Sequence, residues 1–323
     1  MPKAIRIHKT GGPDVLSFEE VSVGEPGPGE ARLRHTAVGI NYLDTYHRSG
    51  LYPLALPSGI GSEGAGVVEA VGPGVTHVKR GDRVAYAGGP PGAYSEVRLL
   101  PADRLVRLPS GIDDRTAAAM MLKGLTVAYL TRRTYRVEQG ETVLWHAAAG
   151  GVGLIACQWL KALGVTVIGT VSSDDKAKLA RAHGAEHVIV YTRENFPEKV
   201  LALTRGQGVS VVFDSVGKST FLGSLECLKP LGMMVSFGNA SGPVQNVELS
   251  LLAKRSLFLT RPSLMTYAAR REDLEALAAD LFEVVLSGKV KIEVGGTYPL
   301  KDAAKAHEDL ESRKTTGSLL LLV

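Results

Sequence analysis

The stretch TVLWHAAAGGVGLIACQWLKALG, Thr142–Gly164, decides how the rest of the chain is read. Five residues of strand character, 142–146, run into a short turn of Ala, Gly and Val. A pattern that is apolar at helical spacing follows. Strand, glycine turn and helix in that order make up a dinucleotide-binding turn, whose fingerprint is G-x-G-x-x-G. Here the three places hold Ala148, Gly150 and Gly153. Gly150 would let the backbone approach a pyrophosphate, and Gly153 would let the helix pack close to the strand. The free N–H groups and positive end of a helix opening near Gly150 would hold the phosphates. Ala148 is admissible if that position keeps φ negative, because only a positive φ demands glycine.

Downstream, strand and helix alternate. Strand-like runs lie at 165–171, 187–191, 209–216, 233–238 and 257–261, with helices opening near Asp174, Phe196 and Thr220. The runs are short, apolar and β-branched on both faces, which marks a parallel sheet covered by helices on both sides. With 142–146 they make six strands, so the expected fold is α/β, a Rossmann doubly wound parallel sheet.

The adenosine end of a dinucleotide is read where the second strand stops. A site built for NAD usually carries an acidic residue there. This strand ends GTVSSDDK, with Ser172 and Ser173 at that place and Lys176 shortly after. The hydroxyls and the lysine suit a 2′-phosphate, and Tyr191, ending the third strand, would lie beside it. The expected cofactor is therefore NADPH.

Outside this region the rhythm changes. The first third has short alternating runs (KAIRIHK, ARLRHTAVGI, GAGVVEAVG, DRVAYA, YSEVRLL) separated by turns such as GEPGPGE and KRGD. These predict an antiparallel β-rich domain. From Asp113 or Asp114, either a suitable cap, a helical pattern leads into the next domain. After a long amphipathic helix stopped by Gly288 come KIEVGGTYPL, a helix KDAAKAHEDLES and a last strand GSLLLLV. This tail matches the first third in rhythm, so the chain is expected to return and complete that domain.

Composition narrows the function. Of 323 residues 45% are hydrophobic, enough for two cores, and the net charge is only +4 with basic residues scattered. No basic stripe of the kind nucleic acid needs is present. Two cysteines in no paired spacing suit a reducing compartment. The amino terminus lacks an apolar signal core, and no run reaches the 18 apolar residues of a membrane span. A soluble, cytoplasmic protein is expected.

The segments AAAGGVGLIACQWLKALG, GINYLDTYHRSGLYP, GSEGAGVVEAVGPGV, KGLTVAYL, VVFDSVG and MVSFGNASG together resemble the zinc-free quinone oxidoreductases. These belong to the medium-chain dehydrogenase/reductase superfamily and are related to zeta-crystallin. The resemblance runs from residue 3 to 323. It implies a GroES-like β-rich catalytic domain, 1–123 and 265–323, with the NADPH-binding Rossmann domain, 124–264, inserted. Zinc-dependent members carry a cysteine in the segment that here reads GINYLD and a histidine in the one that reads GSE. Here those places hold Asn41 and Ser62, which do not supply the ligands of a catalytic zinc. No metal is expected, and Glu63 is read as pairing with a cation or the backbone.

Without a metal, the resemblance implies reduction of a quinone by NADPH in the interdomain cleft. Asn41, Tyr46 and Tyr52 are the candidate catalytic donors. Asn41 and Thr126 would line the nicotinamide, with Tyr129 one turn on. Gly151 and Val152 would join Gly150 and Gly153 at the pyrophosphate. Ser172, Lys176 and Tyr191 would meet the adenosine end together with Arg313, which by position alone is a helix C-terminal cation. Ser215, Phe237, Gly238, Asn239, Ser263 and Met265 would line the nicotinamide channel. The family's habit implies a homodimer formed at the edge of the cofactor sheet. Two other readings are carried forward: an NADPH-dependent enone or alkenal reductase, and a non-catalytic NADPH- and RNA-binding protein.

Overall fold

The structure, a computed structural model, describes residues 1–323 and divides into two units. The first comprises Met1–Leu125, Tyr267–Leu286 and Ile292–Val323; the second comprises Thr126–Thr266 and Ser287–Lys291. The first unit opens with β1 (Lys3–Ile7), β2 (Ser17–Glu20), β3 (Glu30–Ile40), α1 (Tyr42–Ser49), β4 (Ser58–Gly59), β5 (Glu63–Val71), β6 (Arg83–Ala87), β7 (Val97–Pro101) and β8 (Val106–Arg107). α2 (Asp114–Tyr129) runs on into the second unit. That unit holds β9 (Thr142–Trp145), α3 (Gly151–Ala162), β10 (Thr166–Val171), α4 (Asp174–Ala182), β11 (His187–Val190), α5 (Phe196–Leu203) and β12 (Val209–Asp214). It continues with α6 (Phe221–Glu226), β13 (Leu228–Ser236), α7 (Ser250–Ala253), β14 (Phe258–Thr260) and α8 (Leu264–Tyr267). The first unit is completed by α9 (Arg271–Leu286), β15 (Val294–Pro299), α10 (Ala303–Glu311) and β16 (Ser318–Leu322).

In the first unit a seven-stranded sheet runs β15-β16-β3-β5-β6-β8, with β7 also paired to β3, and a three-stranded sheet runs β2-β1-β4. Nearly all its pairings are antiparallel; β15 with β16 is the parallel one. The alternating runs of the first third form these strands, and their inward residues, among them Ile5, Leu33, Val84, Tyr86 and Leu319, make one buried cluster. β16 pairs antiparallel with β3, so the last strand enters the sheet built by the first third.

In the second unit all six strands are parallel, in the order β11-β10-β9-β12-β13-β14. Numbered within the sheet this is 3-2-1-4-5-6, the order of a dinucleotide fold. Every residue of β12 is buried, as strands covered on both faces require. The fifth strand departs from its expected span of 233–238: it starts at Leu228 and stops at Ser236. Pro230 and Gly232 interrupt the added part: Leu228 pairs with Val209, the register then shifts, and Leu231 takes a positive φ. Helix starts follow their caps. Asp113 Oδ1 accepts from Thr116 N (2.9 Å), and Ser173 Oγ accepts from Lys176 N (3.4 Å). No helix is long and apolar enough to cross a membrane.

Candidate active site

The glycine turn leaves β9 and enters α3 through Gly150, its N-cap. Ala148 keeps a negative φ, while the residue before it, Ala147, is left-handed at φ 55°. The left-handed step thus falls one place earlier than the fingerprint suggests, at a cost of about 1 kcal/mol. Gly150 N–H donates to Ala147 O (2.9 Å) and Ala148 N–H to Thr170 O (3.1 Å), which hold the turn. The Ala148 methyl group packs over Gly169 of β10, where a second Cβ would lie 2.7 Å away. A Cβ on Gly153 would overlap the Ala147 carbonyl oxygen and lie 2.7 Å from Ala148 Cα. Gly153 is therefore required for the close approach of helix to turn. The N–H groups of Gly151, Val152 and Gly153 lie in the first turn of α3 and have no intrahelical acceptor.

Ser172 and Ser173 follow β10, and Lys176 lies in the first turn of α4. Tyr191, just past β11, donates its N–H to Val171 O (3.0 Å), and Thr192 Oγ1 donates to Ser172 O (3.2 Å). These bonds join the ends of the two strands, so Ser172, Lys176 and Tyr191 share one corner of the sheet. Arg193 reaches the same corner by pairing with Asp174 (Nη1–Oδ2 2.6 Å), a contact no sequence spacing announces. Arg313 belongs to the other unit, just past α10, with a left-handed φ of 59°.

Ser215 follows β12 and Phe237 follows β13. Phe237 N–H donates to Asp214 O (2.8 Å), and its ring lies 5.8 Å from that of Trp145. Ala240 N–H donates to Ser215 O (3.3 Å), and Arg261 Nη1 donates to Ser236 O and Gly238 O (2.9 and 3.2 Å). Ser215, Phe237, Gly238 and Asn239 are thus gathered at the strand ends. Ser263 Oγ accepts from Met265 N (3.3 Å), and both residues are exposed. Thr126 and Tyr129 are buried in the last turns of α2. Asp214 braces the loop: Oδ1 accepts from Val216 N and Gly217 N (2.7 and 3.0 Å), and Oδ2 from Thr220 Oγ1 and Ser224 Oγ (2.7 and 3.3 Å). His146 Nε2 lies 2.9 Å from Ser224 Oγ, but all three groups are buried. They form a brace, not a nucleophile with its base.

In the first unit Asn41 follows β3 and caps α1. Its N–H donates to Asp44 Oδ2 (2.8 Å) and its Nδ2 to Glu63 Oε2 (2.8 Å). Glu63 is fully buried; it also accepts from Lys123 Nζ (2.9 Å) and Leu122 N (2.7 Å). That matches its reading as the partner of a cation and the backbone. Asp44, also fully buried, accepts from Tyr94 Oη (3.0 Å) and Ser62 Oγ (3.1 Å) as well. Tyr46 and Tyr52 are half-buried, with their rings edge to face at 5.3 Å. No group of three or more His, Cys, Asp or Glu side chains is arranged to hold a metal ion.

Burial shapes the ionisation of this unit. It pushes Asp44 up to about 7, against the opposing hydrogen bonds from Asn41, Tyr94 and Ser62. Burial, helped by the charge of Arg98, pushes His35 down to about 3; burial and Arg48 do the same to His307. In the second unit, burial also lowers His146. A histidine of lowered pKa stabilises the fold fully above its unfolded value of about 6.5, and that contribution is lost as the pH falls toward 3. Asp44 has the opposite sign: its contribution is complete below about 3.9 and is lost as the pH rises through 7. The histidines outnumber the carboxylate, so stability should drop by about 1–2 kcal/mol per pH unit between pH 6 and 4.5. Urea midpoints read this directly, and a flat midpoint over that range would contradict it.

The sequence did not point to Lys123, Tyr94, Arg48 or His307. Each is a common residue type with no motif, and each meets its partner only through the fold.

The zinc-binding dehydrogenase family matches residues 151–283, and the alcohol dehydrogenase GroES-like domain family matches residues 27–110. The quinone oxidoreductase of Pseudomonas aeruginosa is 56% identical over 324 residues, covering 100% of both chains. The chain belongs to the quinone oxidoreductase family of the medium-chain dehydrogenases/reductases. The crystal structure of Escherichia coli quinone oxidoreductase in complex with NADPH superposes with a TM-score of 0.98 at 51% identity, covering 99% of this chain and 100% of that one. The 2-haloacrylate reductase of a Burkholderia species is 48% identical, covering 100% of this chain and 99% of its own.

Proposed function

We propose that this protein is a zinc-independent NADPH:quinone oxidoreductase. The observation that carries the reading is the Gly150–Gly153 turn at the C-terminal end of β9, on a chain 56% identical throughout to a quinone oxidoreductase. The turn suits a pyrophosphate, with three N–H groups in its first helical turn, and the missing side chain of Gly153 lets that helix close against Ala147 and Ala148. NADPH, when bound, supplies a hydride. The chain's part is to bind and orient. Gly150, Gly151, Val152 and Gly153 take the pyrophosphate. Ser172, Lys176, Tyr191 and Arg313 take the adenosine end and its 2′-phosphate. Thr126, Tyr129, Ser215, Phe237, Gly238, Asn239, Ser263 and Met265 place the nicotinamide.

The acceptor meets Asn41, Tyr46 and Tyr52. A quinone takes up one hydride and one solvent-derived proton to give the hydroquinone, and needs donors for the negative charge that develops on oxygen. Both tyrosine hydroxyls suit that role. Asn41 Nδ2 gives one hydrogen to Glu63 and has a second to offer. Zinc-independence rests on the donor set: Asn41 and Glu63 are bound to each other, and Glu63 to Lys123.

The 48% identity to a 2-haloacrylate reductase favours a second reading, reduction of a carbon–carbon double bond beside a carbonyl. Steady-state NADPH oxidation with 1,4-benzoquinone and with a 2-alkenal separates the two. The quinone is expected to have the higher kcat/KM, and turnover of the alkenal alone would refute the assignment.

The protein is also proposed to be a cytoplasmic homodimer. Both cysteines are free and buried, as suits a reducing compartment. β14 is an edge strand whose Phe258 is 55% exposed, and Leu231 and Leu249 of the same unit are more exposed still. Sedimentation equilibrium reads the assembly, and a monomer at micromolar concentration would refute it.

A further inference from the structure

A chain of buried polar groups runs from α10 to the start of α1. Arg48 is held by Glu311 through two bonds (Nη1–Oε2 2.9 Å, Nη2–Oε1 2.8 Å), and its Nη1 lies 3.0 Å from His307 Nδ1. His307 Nε2 lies 3.0 Å from Tyr94 Oη, which lies 3.0 Å from Asp44 Oδ2. Asp44 in turn holds the N–H of Asn41. Arg48, His307, Tyr94 and Asp44 are all buried.

The direction of every bond follows from the arginine. A guanidinium only donates, so His307 Nδ1 must accept and carries no proton. A neutral imidazole with a bare Nδ1 has its hydrogen on Nε2, so His307 donates to Tyr94. The tyrosine oxygen receives that hydrogen and gives its own to Asp44. Asp44 ends the chain as acceptor from Tyr94, Ser62 and the Asn41 main chain. His307 is thus an adaptor: it takes a hydrogen bond from a cation and passes one on to a hydroxyl.

We infer that His307, fixed as the Nε2–H tautomer by Arg48, is a positioning residue that sets Asn41 for the acceptor through Tyr94 and Asp44. The inference rests on the reading in which Asn41 meets the acceptor. Asn41 is held at two points, its amide by Glu63 and its main chain by Asp44. The Glu63 side is anchored by Lys123, and the Asp44 side is anchored by Glu311, which holds Arg48 from 263 residues away in sequence. Loss of the adaptor frees Tyr94 to turn from Asp44, and the capping carboxylate then no longer fixes the entry into α1.

Two substitutions at one position test this. A glutamine can accept from Arg48 through its oxygen and donate to Tyr94 through its nitrogen, which reproduces the assigned tautomer; a leucine can do neither. His307→Leu should raise KM for 1,4-benzoquinone about 5- to 10-fold, the loss of one buried hydrogen bond, and leave KM for NADPH within about two-fold. His307→Gln should return the quinone KM to within about two-fold of the parent. Tyr94→Phe breaks the same chain with little change of volume, and serves if the leucine variant does not fold. An unchanged quinone KM in His307→Leu or Tyr94→Phe, or equal losses in the glutamine and leucine variants, would overturn the inference. Asn41→Ala distinguishes its basis. If that variant keeps the parent quinone KM, the reading of Asn41 as an acceptor contact is wrong. If Asn41→Ala raises it and His307→Leu does not, only the adaptor role is wrong.

Discussion

Gly153→Val is expected to weaken NADPH binding roughly 30- to 100-fold, the effect of about 2–3 kcal/mol of overpacking at the cofactor turn. The added Cβ would overlap the Ala147 carbonyl oxygen and lie 2.7 Å from Ala148 Cα, all backbone atoms that no rotamer change can move aside. Ala147 has no slack to give, since it is already left-handed and its oxygen accepts from Gly150 N. The first turn of α3 must therefore lift, and with it the N–H groups of Gly151, Val152 and Gly153. Fluorescence titration with NADPH reads the affinity directly. An affinity within a few-fold of the parent would show that the cofactor does not depend on this cradle.

Lys123→Met should destabilise the protein by about 3–5 kcal/mol, because it leaves a buried carboxylate without its cation. Glu63 is fully buried, and of the three groups that donate to it, Lys123 Nζ, Leu122 N and Asn41 Nδ2, Lys123 is the one cation. The thermal midpoint should fall by roughly 5–15 °C. The double variant Lys123→Met/Glu63→Gln should recover most of the loss, since neither charge then remains to be buried. A midpoint unchanged by Lys123→Met would show that the pair does not hold this region.

The cofactor sheet was readable from sequence because each strand announces itself locally. Val209, Val211, Val212 and Phe213 fill four of the six places of Val209–Asp214, and Ser173 sits where a cap belongs before a helical pattern. Ser215, Phe237 and Gly238 were identified through the family likeness, and the structure gathers them just beyond β12 and β13. At the turn Ala148 keeps the negative φ that its side chain requires, but the left-handed residue is Ala147, which a rule about glycines alone does not locate. The polar interior of the first unit was not readable. Glu63 meets Lys123 and Arg48 meets His307 across gaps of 60 and 259 residues, and no periodicity links such positions. Asp44, in the first turn of α1, carries no local mark of its surroundings in sequence, yet it is the fully buried end of a hydrogen-bond chain.

The central claim is NADPH-dependent, zinc-independent quinone reduction. Its most direct test is kcat/KM for NADPH and for NADH, with 1,4-benzoquinone as acceptor, before and after dialysis against a metal chelator. The contacts proposed for the 2′-phosphate predict at least about a ten-fold preference for NADPH, since charge-assisted bonds contribute about 1.5–3 kcal/mol each, and both values should be unchanged by chelation. No quinone-dependent oxidation of NADPH, or activity lost on chelation and restored only by zinc, would contradict the account.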